Sequence, residues 1–242
     1  MMHRFLVDPR AVVGKRVTVR GPDAHHLAAV LRLRPGDQFV ALDGSGLEHT
    51  VRLTAVTETE AAGEILETRE GVTLPLRVTL VQGVPKGTKM DLVIRMGTEL
   101  GIAEFVPARA ARSVAGAAHR AERWRRIAQE AAKQSRRADV PRVHDPAPFA
   151  DAVGRVSGTE LMVVLWEGER SRNLADVLRD RRTPAEAALI VGPEGGFERE
   201  EVEQSVASGA VPATLGPLIL RTETAGIAAA AMLFYEFGLR RR

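Results

Sequence analysis

Two glycine-bearing segments near the C-terminus have the composition of ligand-holding loops: Leu189-Ile190-Val191-Gly192-Pro193-Glu194-Gly195-Gly196-Phe197 and Leu215-Gly216-Pro217-Leu218-Ile219-Leu220-Arg221-Thr222-Glu223-Thr224-Ala225. Each leaves an apolar run and leads into a helical pattern. Backbone without side chains at the C-terminal end of a buried strand lets a small molecule approach closely, and the crevice beyond strand ends is where open α/β sheets bind ligands. Gly-Pro after a strand is also an ordinary turn. Together, though, three glycines around Glu194 and an arginine followed by the polar run Thr222-Glu223-Thr224 are more than a connector needs, and they imply one shared pocket.

A second region is basic. Arg109, Arg112, Arg120, Arg123, Arg125, Arg126, Lys133, Arg136, Arg137 and Arg142 are set against only Glu122, Glu130 and Asp139. Such a patch is either a solvated helix face or a nucleic-acid surface. Its arginine bias favours phosphate, because the planar guanidinium forks onto phosphate oxygens. Gly83-Val84-Pro85-Lys86-Gly87-Thr88-Lys89 lacks the Gly, Lys and Ser/Thr spacing of a phosphate loop, which argues against an NTPase. Lys86 and Lys89 still stand at a helix start, where amide donors favour an anion such as RNA phosphate. No Gly-x-Gly-x-x-Gly follows a strand, so a nicotinamide site has no support. His3, His25, His26, His49, His119 and His144 show no metal-ligand spacing, and no metal is expected.

The elements that must position these residues fall into two groups. At 242 residues and 45% hydrophobic, the chain can hold one large domain or a small one plus a medium one. From Phe5 to about Thr68 the pattern is short and β-like, with strands at Arg16 to Val19, Gln38 to Leu42 and His49 to Leu53 and one helix at Pro22 to Leu31, where Asp23 serves as a cap near the start. This reads as a small β-barrel or sandwich. Beyond a boundary near Gly71 to Pro75, strands (Leu76 to Val81, Ala103 to Val106, Leu161 to Trp166, Ala188 to Val191, Ala213 to Leu215) alternate with helices (Thr88 to Leu100, His119 to Gln134, Arg199 to Ser208, Thr222 to Leu239), as in a mainly parallel sheet. Pro141 to Ser157 reads as a connection. The resulting domains are 1–72 and 73–242.

Cysteine is absent, which removes disulfides and thiolate nucleophiles and fits a reducing compartment. The start Met1-Met2-His3-Arg4-Phe5 lacks the apolar core of a signal peptide, and no run approaches the roughly 20 apolar residues of a membrane span. A cytoplasmic protein without a membrane partner is expected.

The chain resembles the SPOUT superfamily of S-adenosylmethionine-dependent RNA methyltransferases, specifically the bacterial 16S ribosomal RNA uracil-N3 methyltransferase family. The marks are His25-His26-Leu27 through Val30-Leu31-Arg32-Leu33-Arg34-Pro35-Gly36-Asp37, Asp43-Gly44-Ser45-Gly46, Lys86-Gly87-Thr88-Lys89-Met90-Asp91, Ala131-Ala132-Lys133-Gln134-Ser135, and the two glycine-bearing segments. They cover essentially the whole chain and are specific only together. The resemblance implies an α/β fold: an N-terminal PUA-like β-barrel that helps hold RNA and a C-terminal domain with a deep trefoil knot, an exception to the rule against knotted chains.

It also implies S-adenosylmethionine held around Leu165, Gly192, Glu194, Gly195, Leu215, Gly216, Leu218 and Leu220, with Thr224 and Ala225 nearby. The partners it implies are 16S ribosomal RNA in the assembled small subunit and a second copy in a homodimer. RNA would be held by His25, Arg32, Lys86, Arg112, Arg123, Arg126 and Arg137; the family often has Gly-Arg where this chain has Arg136-Arg137. Uracil N3 must lose a proton before it attacks the methyl group. Arg221 would stabilise the charge developing on the uracil oxygens. Glu194, Glu223 and water are the candidate proton acceptors, and either glutamate can instead cap a helix or order its loop. A noncatalytic RNA-binding or ribosome-assembly protein, or methylation of another RNA atom, are the competing readings.

Overall fold

The computed structural model describes residues 2–72, 74–113, 120–179 and 181–239. His119, expected to begin a helix, lies outside them. The chain divides into two compact units: one is Met1–Thr73 with Ala132–Val140, the other Leu74–Ala131 with Pro141–Arg242. The first thus takes in nine residues that the sequence alone placed in the second domain.

The first unit is a curled sheet of six strands: β1 (Arg4–Leu6), β2 (Val12–Val13), β3 (Arg16–Arg20), β4 (Gln38–Leu42), β5 (Leu47–Val56) and β6 (Glu60–Glu70), in the order β1-β4-β5-β6-β3-β2. Only β1 and β4 pair in parallel. Alternation in β3 turns Val17 and Val19 into a core with Phe5, Leu27, Phe39, Val51 and Leu53. Two register shifts where β5 meets β6 mark bulges, which add bend and twist. Helix α1 (Pro22–His25) opens at Gly21, whose φ of 67° suits glycine, and runs on as a π-turn through Val30. Asp23 makes no cap; its carboxylate takes the Lys133 ammonium at 3.2 Å.

Charge is buried inside this unit. Glu48 accepts from Arg4 and, at 3.0 Å, from Arg69. Asp43 accepts from the Ser45 amide and hydroxyl, and the buried His49 ring stands between Asp43 and Thr68.

The second unit contains β7 (Arg77–Gly83), α2 (Lys89–Leu100), β8 (Glu104–Arg109), most of α3 (Ala121–Ser135), β9 (Arg142–Val143), β10 (Ala147–Pro148), α4 (Phe149–Gly154), β11 (Leu161–Leu165), α5 (Leu174–Leu178), β12 (Glu186–Val191), α6 (Arg199–Ala207), β13 (Val211–Ala213) and α7 (Thr222–Leu233). The sheet runs β10-β8-β7-β12-β11-β13, with β9 also on β8, and every pairing is parallel. All five residues of β11 are buried, as expected where helices cover both faces. Helix α7 packs on α2, β7 and β12, and its Gly226 admits Leu80 so closely that a Cβ would stand 3.2 Å from the leucine methyl.

Three expectations change here. Pro141 to Ser157, read as a connection, forms β9, β10 and α4, because its two strands are only two residues long and give no alternation to read. Helix α5 was hidden behind the charged run that follows β11. The last strand is Val211–Ala213 instead of Ala213 to Leu215; Pro212 is tolerated because β13 is an edge strand.

Candidate active site

The C-terminal ends of β11, β12 and β13 release three loops, 166–173, 192–198 and 214–221, around one cavity of about 970 Å³. That is at the upper end for a small-molecule site. Parallel strands put all their C-terminal ends on one edge, which is why segments far apart in sequence meet there.

A single side chain ties the edge together. Gln82, the penultimate residue of β7, is fully buried, and its Nε2 donates to the Gly83 carbonyl at 3.1 Å, the Gly192 carbonyl at 3.3 Å and the Thr222 hydroxyl at 2.9 Å. Thr222 donates its own hydroxyl hydrogen bond to the Gly192 carbonyl. The polar start of α7 therefore serves this junction, not a helix cap, and Arg221 at the N-cap position makes no side-chain capping bond. Sequence reading missed Gln82, since nothing in an apolar strand marks one glutamine as a junction.

The glycines are steric necessities. A Cβ on Gly192 would stand 3.2 Å from the Gly196 backbone, and Gly196, at φ 71°, faces the Glu167 carboxylate at 2.2 Å from its would-be Cβ. Gly216 has φ 123° and open space beside it. No hydrogen bond among the described residues engages the N–H of Leu218, Ile219 or Leu220, so this loop offers backbone donors.

Leu165, Gly192, Glu194, Gly195 and Arg221 line the cavity together with Leu215, Gly216, Leu218, Leu220 and Ala225. Thr224 does not; it is exposed on the first turn of α7, its amide bonded to the Arg221 carbonyl. The Arg221 guanidinium has no hydrogen-bond or ion-pair partner among the described residues.

Glu194 is held differently from a base awaiting a proton. Both its oxygens accept from the Lys86 amide, at 3.0 and 3.2 Å, and Oε1 accepts from Lys89 Nζ at 2.7 Å. Burial alone would raise its carboxyl pKa, but the Lys89 ammonium and the backbone amides outweigh burial and hold it below the usual range. A lowered pKa makes a weaker base, and these bonds tie the 192–198 loop to the start of α2. The anion that the helix start at Lys86 and Lys89 attracts is this carboxylate. Glu223 lies 3.9 Å from Lys89 Nζ, with its Oε2 buried and without a hydrogen-bond partner.

The expected RNA-holding residues divide between the units. In the first, His25 is exposed 3.6 Å from Glu58, Arg32 is exposed at φ 53°, and Arg137 is largely buried in a two-bond pair with Asp139. In the second, Arg123 makes two bonds to the buried Asp91, Arg112 donates to the Gly195 carbonyl at 2.6 Å, Lys86 has an exposed side chain, and Arg126 is exposed with no partner among the described residues. The basic patch is thus partly spent internally: Arg125 likewise reaches Glu122, Asp145 and the Val143 carbonyl. The described residues contain no cluster of three or more side chains able to hold a metal, and no described helix is long and apolar enough to cross a membrane.

Residues 72–234 match the model of an RNA methyltransferase domain, and residues 19–66 that of an RNA methyltransferase PUA domain. The chain is 36% identical over 235 residues to the ribosomal RNA small subunit methyltransferase E of Bacillus subtilis, covering 93% of this chain and 91% of that one. Its identity to the protein of the same name from Synechocystis is 37% over 236 residues, covering 96% and 77%. A crystal structure of the Neisseria gonorrhoeae ribosomal RNA small subunit methyltransferase E bound to S-adenosyl methionine superposes with a TM-score of 0.87 at 32% identity, covering all of both chains. The fold class is that of the SPOUT methyltransferases, whose C-terminal chain is tied in a trefoil knot, with a PUA-like sheet at the N-terminus.

Proposed function

The chain belongs to the ribosomal RNA small subunit methyltransferase E family, and on that premise we propose that it methylates N3 of one uridine in 16S ribosomal RNA, using S-adenosylmethionine. The observation that carries this reading is an unpaired arginine, Arg221, on the wall of a glycine-cradled cavity at parallel strand ends. The residues present fit the cofactor: apolar walls at Leu165, Leu215 and Leu220 suit a flat purine, and the unengaged amides of Leu218 and Leu220 suit its ring nitrogens. When bound, S-adenosylmethionine supplies a methyl group already activated by its sulfonium.

The chain's own residues have three tasks. Gln82 and Thr222 fix the 192–198 loop against α7, so that the cradle is formed in advance. Arg221 stabilises the negative charge that spreads onto the uracil carbonyl oxygens when N3 loses its proton. Glu194 keeps the loop in register with the start of α2 and does not take that proton, which leaves by way of water at the open mouth of the cavity. N3 faces its partner inside a duplex, so the target is a flipped or single-stranded uridine.

The PUA-like domain, residues 1–72, assists in holding RNA, and residues 73–242 form the methyltransferase domain. A homodimer is supported by an apolar groove of about 800 Å³ lined by Leu174, Leu178, Ala228, Ala231, Met232 and Tyr235, with Met232 and Tyr235 exposed. Exposed apolar surface of this kind is what a second copy covers. The enzyme works in the cytoplasm on the assembled small subunit.

Nucleoside mass spectrometry tests the reading. Small subunits lacking the modification are incubated with the protein and S-adenosylmethionine carrying a labelled methyl group. Label in 3-methyluridine is the expected result; label in another nucleoside keeps the enzyme and overturns the target atom, and RNA binding without transfer favours an assembly protein.

A further inference from the structure

The arginines conspicuous in the sequence and those available at the site are different sets. Arg112, Arg123, Arg125 and Arg137 are engaged by internal carboxylates or carbonyls. Two arginines from another loop line the cavity: Arg170 and Arg172, in the segment after β11. Both are exposed, and neither guanidinium has a hydrogen-bond or ion-pair partner among the described residues.

The loop that carries them is braced. Glu169 Oε1 accepts from the Ser171 amide and hydroxyl, each at 2.6 Å, and from the Arg172 amide at 3.1 Å. The Ser171 bonds hold the Glu169 carboxyl below its usual range, so it stays ionised at neutral pH. The Arg172 carbonyl accepts from the Thr214 amide at 3.0 Å, the Leu174 amide donates to Thr214 at 2.9 Å, and Asn173 caps α5. Backbone at Arg172 and just after it is therefore tied to the 214–221 loop, while the two charged heads have no partner among the described residues.

Their charge indicates what they meet. Among the acids lining the cavity, Glu194 is paired with Lys89 and Glu169 is turned onto its own loop, leaving Glu167 against Arg170, Arg172 and Arg221. S-adenosylmethionine carries a sulfonium, an ammonium and one carboxylate, so extra guanidinium charge at its mouth repels it overall. A phosphate backbone has the opposite charge and matches the guanidinium fork.

We propose that Arg170 and Arg172 form a phosphate clamp that seats the RNA backbone next to the target nucleotide at the cavity mouth, acting as positioning residues for the reaction. This rests on the RNA methyltransferase reading and adds to it a contact surface on the loop after β11.

The test is the double variant Arg170→Ala/Arg172→Ala beside Arg170→Lys/Arg172→Lys, with the wild type as reference. Three quantities are read: affinity for unmodified small-subunit RNA as a function of salt, affinity for S-adenosylmethionine by calorimetry, and KM against kcat for methyl transfer. Two lost phosphate contacts flatten the plot of log affinity against log salt by about 1.4 to 1.8. The alanine pair is expected to show that flattening, at least a tenfold higher KM for RNA, near-normal kcat at saturating RNA and cofactor affinity within twofold. The lysine pair should restore the salt slope.

An unchanged slope and KM in the alanine pair, beside a wild type that transfers methyl groups, overturns the clamp alone. Loss of cofactor affinity with an unchanged slope also overturns it, by assigning the arginines to the cofactor. A wild type that binds RNA without transfer, whose slope still flattens in the alanine pair, sinks the methyltransferase reading and leaves the clamp standing.

Discussion

The polar groups buried in the curled sheet of the first unit and those buried at the strand ends of the second solve opposite problems. In the first, the buried Glu48, Asp43 and His49 are partnered by Arg4 and by the exposed Arg69, Ser45 and Thr68, and charge is answered by charge or hydroxyl within the cluster. In the second, the junction is neutral: one glutamine amide and one threonine hydroxyl hold two loops, while Arg221 beside them keeps its charge unmatched. A buried ion is costly unless paired, so the first cluster stabilises a scaffold and has nothing left to offer a ligand. A neutral junction fixes geometry without neutralising the cation that we propose stabilises the uracil oxygens.

The sharpest way to break this contrast is Arg221→Ala. The expected outcome is a 100- to 1000-fold fall in kcat, about 2.7–4 kcal/mol of barrier, with melting temperature and cofactor affinity unchanged. A lowered melting temperature with normal turnover would make Arg221 structural and erase the difference between the regions.

Glu48→Ala should do the reverse, costing about 3 kcal/mol in urea unfolding because Arg4 is left without its carboxylate, with kcat preserved in the folded fraction. Burial would raise the Glu48 pKa, but the Arg4 and Arg69 hydrogen bonds outweigh it, so its folded pKa lies below the unfolded one. Its stabilisation is therefore present above the unfolded carboxyl pKa of about 4.3 and is lost as pH falls through the lower folded value. The alanine variant should show a shallower acid limb than the wild type.

Gln82→Leu sharpens the comparison most finely. It removes the shared donor while keeping bulk, and should cost about 1–2 kcal/mol of stability together with a measurable loss of S-adenosylmethionine affinity by calorimetry. Stability lost with affinity intact would show that the junction serves the fold only.

Much of the architecture was legible because its signals are local. Alternation in Arg16–Arg20, and apolar runs at Phe39, Leu161 and Ala188, announce half-buried and fully buried strands before any contact is known. The glycine-bearing loops were legible for the same reason, since short spacing forces their shape. What could not be read is where each polar side chain spends its bonds. Glu194 reads in sequence as a base or a loop brace, and in space its carboxylate is taken up by the Lys86 amide and Lys89 from 105 or more positions away. Arg123 looks like a phosphate ligand and is held by Asp91, while Gln82 is invisible until Gly192 and Thr222 arrive beside it.

The pairing of β7 with β12, Leu80 in register with Leu189, has a consequence for how the chain comes into being. During synthesis the first of these strands emerges long before its partner exists, and the residues that lock the edge, Gly192 and Thr222, follow later still. Parallel pairing over such a separation requires closure of a long loop before any contact rewards it. The curled sheet of the first unit is largely sequential and can condense early, whereas the parallel sheet waits for the last third of the nascent chain. Truncation within α7 would therefore do more than trim a terminus: it would take away the helix that packs over β7 and β12 just as that pair closes.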